Sequence, residues 1–129
     1  AGVTMEGLHI LAEFKGCRCA SRLLLEAEAL QQLCLAACQQ AGLTVVGQLF
    51  HPFGTPDAPA GATGAVVLAE SHLAIHTWPE LGAVTLDLYV CNFSRDNREA
   101  AKAAYATLLQ AFQPETVGRR DVLRGSLET

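Results

Sequence analysis

The segment SHLAIHTWPELGAVTLDLYVCN, residues 71–92, predicts two β-strands joined by a tight turn. Apolar and polar residues alternate over 71–78, which is the period of a strand with one buried face, and 83–92 reads as a second strand. The turn residues Pro79 and Gly82 lie between them. Because strands joined by so short a connection run antiparallel, this hairpin points to a mainly antiparallel sheet.

Further strands and two helices flank the hairpin. Residues 7–15 alternate as a half-buried strand, and apolar residues over 23–41 recur at spacings of three and four, as on one face of a helix. Residues 64–70 run into the next segment without a turn signal, so we treat 64–78 as one bent strand. The remaining predicted elements are a strand over 44–51, a long loop over 52–64, a helix over 97–113 capped by Ser94 or Asp96, and an edge strand over 116–124.

Together these elements give the order β-α-β-β-β-α-β within one domain spanning 1–129. Two helices can cover only one face of such a sheet. The sequence therefore predicts an α+β fold, a two-layer α/β sandwich with a mainly antiparallel sheet and both helices on one face. The opposite face then needs cover, which a second copy of the chain in a homodimer would supply.

Composition narrows the range of partners. The net charge of −4 and the lack of a strong basic cluster argue against nucleic acid. The apolar stretches are too short to cross a bilayer and no secretory leader opens the chain, so we expect no membrane partner. Five cysteines, without the spacing of a structural zinc site, indicate reduced thiols in the cytoplasm and no metal. After these exclusions, a small molecule is the class of partner that we expect.

Side chains that can do chemistry concentrate on the hairpin. His72 and His76 lie about 13 Å apart along one strand, at roughly 3.3 Å per residue, so they cannot share a metal ion. We expect His72 to be a hydrogen-bonded, partly buried imidazole. Ser71 and Cys91 are equidistant from the turn, so folding brings the hydroxyl beside the thiol. We expect a twist of the hairpin to aim His76 at one of the two.

Two chemistries can use a serine, a histidine and a cysteine so placed. In acyl transfer, Ser71 or Cys91 is the nucleophile and His76 is the base. In self-cleavage, the Ser71 hydroxyl attacks the carbonyl of Glu70, and elimination from the resulting ester leaves a keto group at a new amino terminus. Such a group forms a Schiff base with a substrate amine and withdraws electrons, while a neighbouring thiol returns the proton. The residues alone leave both chemistries open.

The motif AESHLAIHTWPE at 69–80, followed by LDLYVCN at 86–92, resembles the short bacterial and archaeal S-adenosylmethionine decarboxylases, which are pyruvoyl enzymes. The resemblance extends from GLHILAEF in the first strand to the helix at 97–113. It implies a two-layer α/β sandwich whose active sites form at a homodimer interface. It also implies decarboxylation of S-adenosylmethionine, which supplies the aminopropyl donor for polyamine synthesis.

The same resemblance implies how the cofactor arises. The family is made as a proenzyme that cleaves itself before a serine. Here this places the cut between Glu70 and Ser71, giving 1–70 and 71–129, with Ser71 becoming the pyruvoyl group. At the matching position, His76 would assist this processing.

Site residues are implied in the same way. Cys91 matches the proton donor of the family, and Phe53 matches the aromatic residue that stacks on the adenine of the substrate. Thr63 matches a hydroxyl position that lines the site. Trp78 and Glu80 match the last members of the motif, and the Glu80 carboxylate would suit the ribose hydroxyls.

The cysteine segment departs from the family pattern. The family usually reads F-T-C-G, whereas this chain reads Tyr89, Val90, Cys91, Asn92. We expect the loss of a threonine hydroxyl and of a glycine beside the acid to reshape the pocket wall. Relatives with the same pyruvoyl chemistry decarboxylate L-arginine or L-ornithine. Asp87, on the strand face of Cys91, would then meet a guanidinium; its alternative is a plain surface or capping role. A non-catalytic homologue that regulates an active partner is the third hypothesis.

Overall fold

The computed structural model describes residues 6–93 and 95–125, which fold around one six-stranded sheet. A short 3₁₀ turn joins the fourth and fifth strands, and Gly82 closes it in the left-handed conformation (φ 59°), as the predicted hairpin requires. The elements in chain order are β1 (Gly7–Lys15), α1 (Arg22–Leu25), α2 (Ala27–Gln40), β2 (Val45–Gly54), β3 (Pro59–Leu68), β4 (His72–Trp78), the 3₁₀ turn (Pro79–Leu81), β5 (Ala83–Cys91), α3 (Arg98–Phe112) and β6 (Thr116–Arg124).

The strand order is β2-β3-β4-β5-β1-β6, and every neighbouring pair is antiparallel. The hairpin of β4 and β5 lies at the centre, where His72 pairs with Tyr89 and Trp78 pairs with Ala83. Strand β1 inserts between β5 and β6, so the first strand borders the hairpin and the last strand lies at the edge of the sheet beyond it. The expected α+β sandwich is confirmed, and β6 is the expected edge strand.

The helices cover one face of the sheet. Alternate residues of the central strands pack beneath α2 and α3, and the largest fully buried side chains include Ile10, Phe14, Leu30, Leu73, Ile75, Leu88, Leu108 and Phe112. Each such side chain stabilises the fold by about 1.5–3 kcal/mol relative to exposure in water. Cys34 and Cys38 are core residues. Within the described chain, no helix is long and apolar enough to pass through a bilayer.

The opposite side of the sheet, which we call the open face, carries no helix among the described residues. It holds the alternate side chains of the central strands, among them His72, His76 and Asp87. Several large apolar side chains also lie exposed on it, namely Leu11, Leu49, Val67, Trp78 and Val122. That a second chain covers this face stays a prediction.

Residues 64–78 form a hairpin, so the prediction of one bent strand was wrong. Strand β3 ends at Leu68, the chain reverses, and β4 begins at His72, which pairs with Val67. The backbone N–H of Leu68 donates to the carbonyl of Ser71 (2.9 Å) and closes the reversal. Alanine and glutamate occupy its middle, and because neither is a typical turn residue the pattern carried no turn signal.

The predicted loop over 52–64 is also mostly strand. Strands β2 and β3 extend across it and leave a short connection over 55–58. The backbone N–H of Thr55 donates to the carbonyl of Ala58 (3.2 Å), which closes this turn. The consequence is a longer β2, which carries Phe53 beside the end of β4.

Both helical segments differ in detail from the prediction. The first is divided at Glu26, whose backbone is extended (φ −110°, ψ 124°), although no proline or glycine marks the break. Helix α3 begins after Asn97, and the Asp96 carboxylate accepts a hydrogen bond from the backbone N–H of Arg98 (3.0 Å). Ser94, the other predicted cap, lies outside the described residues.

Candidate active site

Ser71 ends the turn between β3 and β4 and immediately precedes β4. Its backbone N–H points back to the carbonyl of Leu68 (3.4 Å). Its hydroxyl accepts a hydrogen bond from the backbone N–H of Cys91, with 3.4 Å between nitrogen and Oγ. The structure thus brings Ser71 beside Cys91, and the peptide bond after Glu70 lies in a tight turn next to them.

Cys91 ends β5, and its main chain is tied to the start of α3. The Cys91 carbonyl accepts a hydrogen bond from Asn97 Nδ2 (2.9 Å). The backbone N–H of Asn97 in turn donates to Asn92 Oδ1 (2.8 Å). Because Asn97 is buried, these bonds hold the Cys91 main chain in one position.

The other thiols are poor candidates for chemistry. Cys34 and Cys38 are buried in the core, and burial raises the pKa of Cys38 to about 11. Burial, together with the neighbouring Cys19, raises the pKa of Cys17 to about 11 as well. Since the thiolate is the reactive form of cysteine, thiols with such pKa values stay protonated and unreactive near neutral pH.

A polar cluster extends from the start of β4 toward the middle of the open face. Asp87 Oδ1 lies 3.1 Å from His72 Nε2 and 3.3 Å from His9 Nε2. His72 therefore has a hydrogen-bond partner of the kind expected for it. The Arg124 guanidinium donates to His9 Nδ1 (3.2 Å). In a neutral His9 ring this puts the proton on Nε2, which lies near the carboxylate but makes no hydrogen bond.

The same cluster is the one group among the described residues that could hold a metal ion. The ligand atoms of His9, His72 and Asp87 lie within 4.8 Å of one another. Coordination through His9 Nε2 would require its proton on Nδ1, where Arg124 already donates. The guanidinium would also repel a cation, so the cluster fits a hydrogen-bonded ion-pair network better than a metal centre.

A second group of predicted site residues lies at the other end of β4. Phe53, Thr63, His76, Trp78 and Glu80 line one cavity of about 340 Å³. The Thr63 hydroxyl and His76 Nδ1 form a hydrogen bond there, because β3 and β4 pair these two residues. Residues from three separate segments of the chain are therefore brought together by the fold.

The walls of this cavity are aromatic on two sides. Trp78 Nε1 donates to Thr85 Oγ1 (3.2 Å), which fixes the indole against β5. The Phe53 ring is 46% exposed and packs edge-on against His51, with 5.1 Å between ring centres. An exposed aromatic face near the Glu80 carboxylate suits a flat heterocycle that also carries hydroxyl groups.

We call Ser71 and Cys91, with the polar cluster beside them, the Ser71 end of β4. The five residues that line the cavity are the His76 end. These two ends do not meet within one chain. Ser71 and His76 are five residues apart along an extended strand, which is about 16 Å at roughly 3.3 Å per residue. The prediction that a twist would aim His76 at Ser71 or Cys91 was therefore wrong for a single chain. Strand β4 pairs regularly with β5 from His72 to Trp78, and this pairing holds each side chain at its place along the strand.

Residues from neighbouring strands were not predicted to be part of the Ser71 end. Alternation placed His9 on the right face of β1, but only the sheet order shows that β1 adjoins β5. Arg124 was missed for the same reason, whereas Tyr89 lies on β5 itself, two residues before Cys91 on the same face, and alternation could have found it. Val90 is fully buried on the helix-covered face, so the expected effect of a lost hydroxyl there on the pocket wall was wrong.

This sequence and fold match one group of known proteins. A family model described as S-adenosylmethionine decarboxylase matches residues 8–125. The S-adenosylmethionine decarboxylase proenzyme of Thermoplasma acidophilum is 36% identical over 121 residues, which are 94% of this chain and 85% of that protein. The proenzyme of Picrophilus torridus is 38% identical over 120 residues, 93% of this chain and 85% of that protein. The crystal structure of the adenosylmethionine decarboxylase from Aquifex aeolicus superposes with a TM-score of 0.83 at 32% identity, covering 98% of this chain and 96% of that one.

Proposed function

The chain belongs to the S-adenosylmethionine decarboxylase family, and on that premise we propose that it is a self-processed, pyruvoyl-dependent lyase that decarboxylates S-adenosylmethionine for polyamine synthesis. The observation that carries the proposal is the contact between the Ser71 hydroxyl and the Cys91 backbone beside a tight turn. This contact joins the residue that would become the electrophile to the residue that would return a proton. The proenzyme names of the relatives support processing.

Processing would separate 1–70 from 71–129. The Ser71 hydroxyl oxygen attacks the carbonyl carbon of Glu70, the bond from that carbon to the Ser71 nitrogen breaks, and an ester forms. Loss of the Ser71 α-proton then expels the Glu70 carboxylate and leaves an enamine. The enamine becomes an imine, and water releases ammonia from it to give the keto group. Both proton transfers need a base within reach, and an imidazole suits that task.

That base, His76, would come from a second copy of the chain. Within one chain it lies about 16 Å from Ser71, too far for proton transfer. Two copies that pack through their open faces about a two-fold axis would place the His76 end of each against the Ser71 end of the other. The exposed apolar side chains of the open face support such burial. We therefore propose a homodimer with two shared active sites.

The surroundings of Ser71 fit a pyruvoyl group. Ser71 is partly exposed and immediately precedes β4, and its side chain faces Cys91 rather than the core. A keto group there supplies an electrophilic carbon for the substrate amine and a sink for the electrons that remain when carbon dioxide leaves. Cys91 then gives its proton to the substrate carbon from which carbon dioxide departed.

The His76 end would bind the nucleoside part of the substrate. Phe53 offers a flat, exposed face on which adenine can stack. The Glu80 carboxylate accepts hydrogen bonds from the two ribose hydroxyls, which are charge-assisted and therefore strong. Thr63 and Trp78 complete the walls of the cavity.

L-Arginine, L-ornithine and a purely regulatory role find no support among the relatives described above. Asp87, which a guanidinium would need, is already engaged by His72 and His9. All three predicted catalytic residues are present in the chain. Because all five cysteines are free thiols, we place the protein in a reducing compartment, the cytoplasm. No metal, nucleic-acid or membrane partner forms part of the proposal.

Intact-mass measurement and a decarboxylation assay test this function directly. The purified chain should give two fragments that end at Glu70 and begin at a blocked, serine-derived residue. It should release carbon dioxide from S-adenosylmethionine and not from L-arginine or L-ornithine. Ser71→Ala is the matched control, which should stay intact and inactive. A wild-type chain that stays uncleaved yet decarboxylates S-adenosylmethionine would overturn the proposal.

A further inference from the structure

The open face places a phenol against the proposed proton donor. Tyr89 precedes Cys91 by two residues on β5, so both side chains project from the same face and are neighbours on it. The ring leans along the strand over Gly7, the residue paired with Cys91. A Cβ at Gly7 would lie 3.1 Å from the Tyr89 ring and 2.1 Å from the carbonyl of Val90, so glycine gives the ring its room.

The polar cluster clamps the Tyr89 ring. The Arg124 guanidinium carbon lies 4.6 Å from the ring centre, as in a cation–π contact. The rings of His9 and His72 lie 5.8 and 5.7 Å from it, centre to centre. Asp87 Oδ1 lies within 3.3 Å of a ring nitrogen of each of these two histidines. These contacts hold the ring on several sides, on the strand face that also carries the Cys91 thiol.

The phenol also stays protonated near neutral pH. Burial raises the pKa of Tyr89, and the charge and hydrogen bond of Cys91 raise it further, while Arg124 acts in the opposite direction. A neutral phenol has an O–H that it can donate to sulfur. It is therefore equipped to stabilise a thiolate and not to remove protons from the substrate.

We propose, resting on the function proposed above, that Tyr89 is a positioning residue for Cys91. Its hydroxyl holds the thiol beside Ser71 and donates a hydrogen bond to the thiolate that forms during turnover. In that step the S–H bond of Cys91 breaks and a C–H bond forms on the decarboxylated substrate carbon. The negative charge left on sulfur meets the phenolic O–H, and water reprotonates the sulfur before the next turnover.

The kinetic test compares Tyr89→Phe with a matched control, Tyr105→Phe. Tyr105 is the other tyrosine of the chain and also lies under an arginine, with Arg119 Cζ 4.4 Å from its ring centre, but it belongs to α3 on the covered face. In the cleaved enzyme, Tyr89→Phe should lower kcat for S-adenosylmethionine about tenfold and keep KM within about twofold, because the lost bond serves a group that becomes charged. Tyr105→Phe should leave both unchanged.

A second readout does not depend on activity. In the uncleaved Ser71→Ala chain, the rate of Cys91 alkylation by iodoacetamide is followed by peptide mass spectrometry at fixed pH and reagent concentration. Adding Tyr89→Phe should slow alkylation of Cys91 about fivefold, since the phenol no longer stabilises the reacting thiolate. Tyr89→Leu, which lacks the same hydroxyl, gives a second route to the same result if the phenylalanine variant does not fold.

The outcomes separate this inference from the proposed function. Slower Cys91 alkylation together with a lower kcat supports the role of Tyr89. Unchanged alkylation in both Tyr89 variants overturns it, whatever the enzyme does. If the wild-type chain decarboxylates none of the substrates, the proposed function is wrong. The role of Tyr89 in positioning a proton donor is then wrong as well, even if its hydroxyl alters the rate of alkylation.

Discussion

The two ends of strand β4 carry different chemical groups. The Ser71 end has a turn, a thiol and a polar network in which His72 is hydrogen-bonded to Asp87. The His76 end has an imidazole, which is hydrogen-bonded to Thr63, and an aromatic cavity. In the arrangement proposed above, each end would supply groups that act on the other end of a partner chain. The comparison teaches that residues of one short motif, when they lie along an extended strand, are too far apart to act at one place within a single chain.

The spacing of β4 explains this division. Side chains on one face of a strand can be neighbours only if they are close in sequence, and five residues of extended chain exceed the reach of any imidazole. In the proposed homodimer, a two-fold axis across the open face would bring the ends of two chains together without bending the strand. The following predictions test that arrangement.

Loss of His76 should have the largest effect on the Ser71 end. His76→Ala should slow cleavage by a factor of about 10² or more, because general acid–base catalysis typically contributes about 10²–10⁴. The fraction of intact chain is followed over time on denaturing gels. His51→Ala removes an exposed histidine of β2 and should cleave normally. Cleavage of His76→Ala at the wild-type rate would remove His76 from processing.

Loss of the Cys91 thiol should affect decarboxylation by the cleaved enzyme and not the cleavage itself. Cys91→Ala should still yield both fragments, while kcat falls about a hundredfold and KM changes by less than about threefold, since the change removes the proton donor and little contact area. Steady-state carbon dioxide release measures both constants. Cys17→Ala, which changes a thiol outside both ends, is the control. An unchanged kcat would exclude Cys91 as the acid.

A change at the His76 end of the cleaved enzyme should affect binding. Glu80→Gln should raise KM for S-adenosylmethionine about tenfold with little change in kcat, because a charge-assisted hydrogen bond contributes roughly 1.5 kcal/mol. The same assay measures it, and Glu99→Gln on α3 serves as the exposed control. If KM stays constant, Glu80 does not bind the ribose hydroxyls.

A change on the helix-covered face of β4 should lower the stability of the fold. The buried Thr77 hydroxyl donates to the Leu24 carbonyl (2.8 Å) and accepts from the backbone N–H of Ala62 (2.9 Å). Thr77→Val should therefore lower the free energy of unfolding by about 1–3 kcal/mol, measured by urea denaturation of the uncleaved Ser71→Ala chain. Thr107→Val, at an exposed hydroxyl of α3, should cost less than about 0.5 kcal/mol. Equal effects of the two variants would contradict this account.

The sequence predicted the contact between two strands joined by a short turn, and it missed contacts between segments that are remote in the chain. Alternation and one short turn place Ser71 within a residue of the position opposite Cys91, because hairpin register follows from turn length. The turn before Ser71 was missed, since its central alanine and glutamate carry no turn preference. The neighbours of β5 were also missed, because the insertion of β1 between β5 and β6 is a pairing of segments remote in sequence. His9, Arg124 and Tyr89 became visible as one cluster only in the folded sheet.

The division of the site between two chains is tested most directly by a mixture of two inactive variants. Ser71→Ala and His76→Ala chains with different tags are co-expressed in equal amounts, and cleavage of each is measured by mass. The account predicts that roughly half of the His76→Ala chains are cut, those paired with a partner that supplies His76, while every Ser71→Ala chain stays intact. If the His76→Ala chain is cut no more in the mixture than alone, the imidazole does not act across the interface and the account is contradicted.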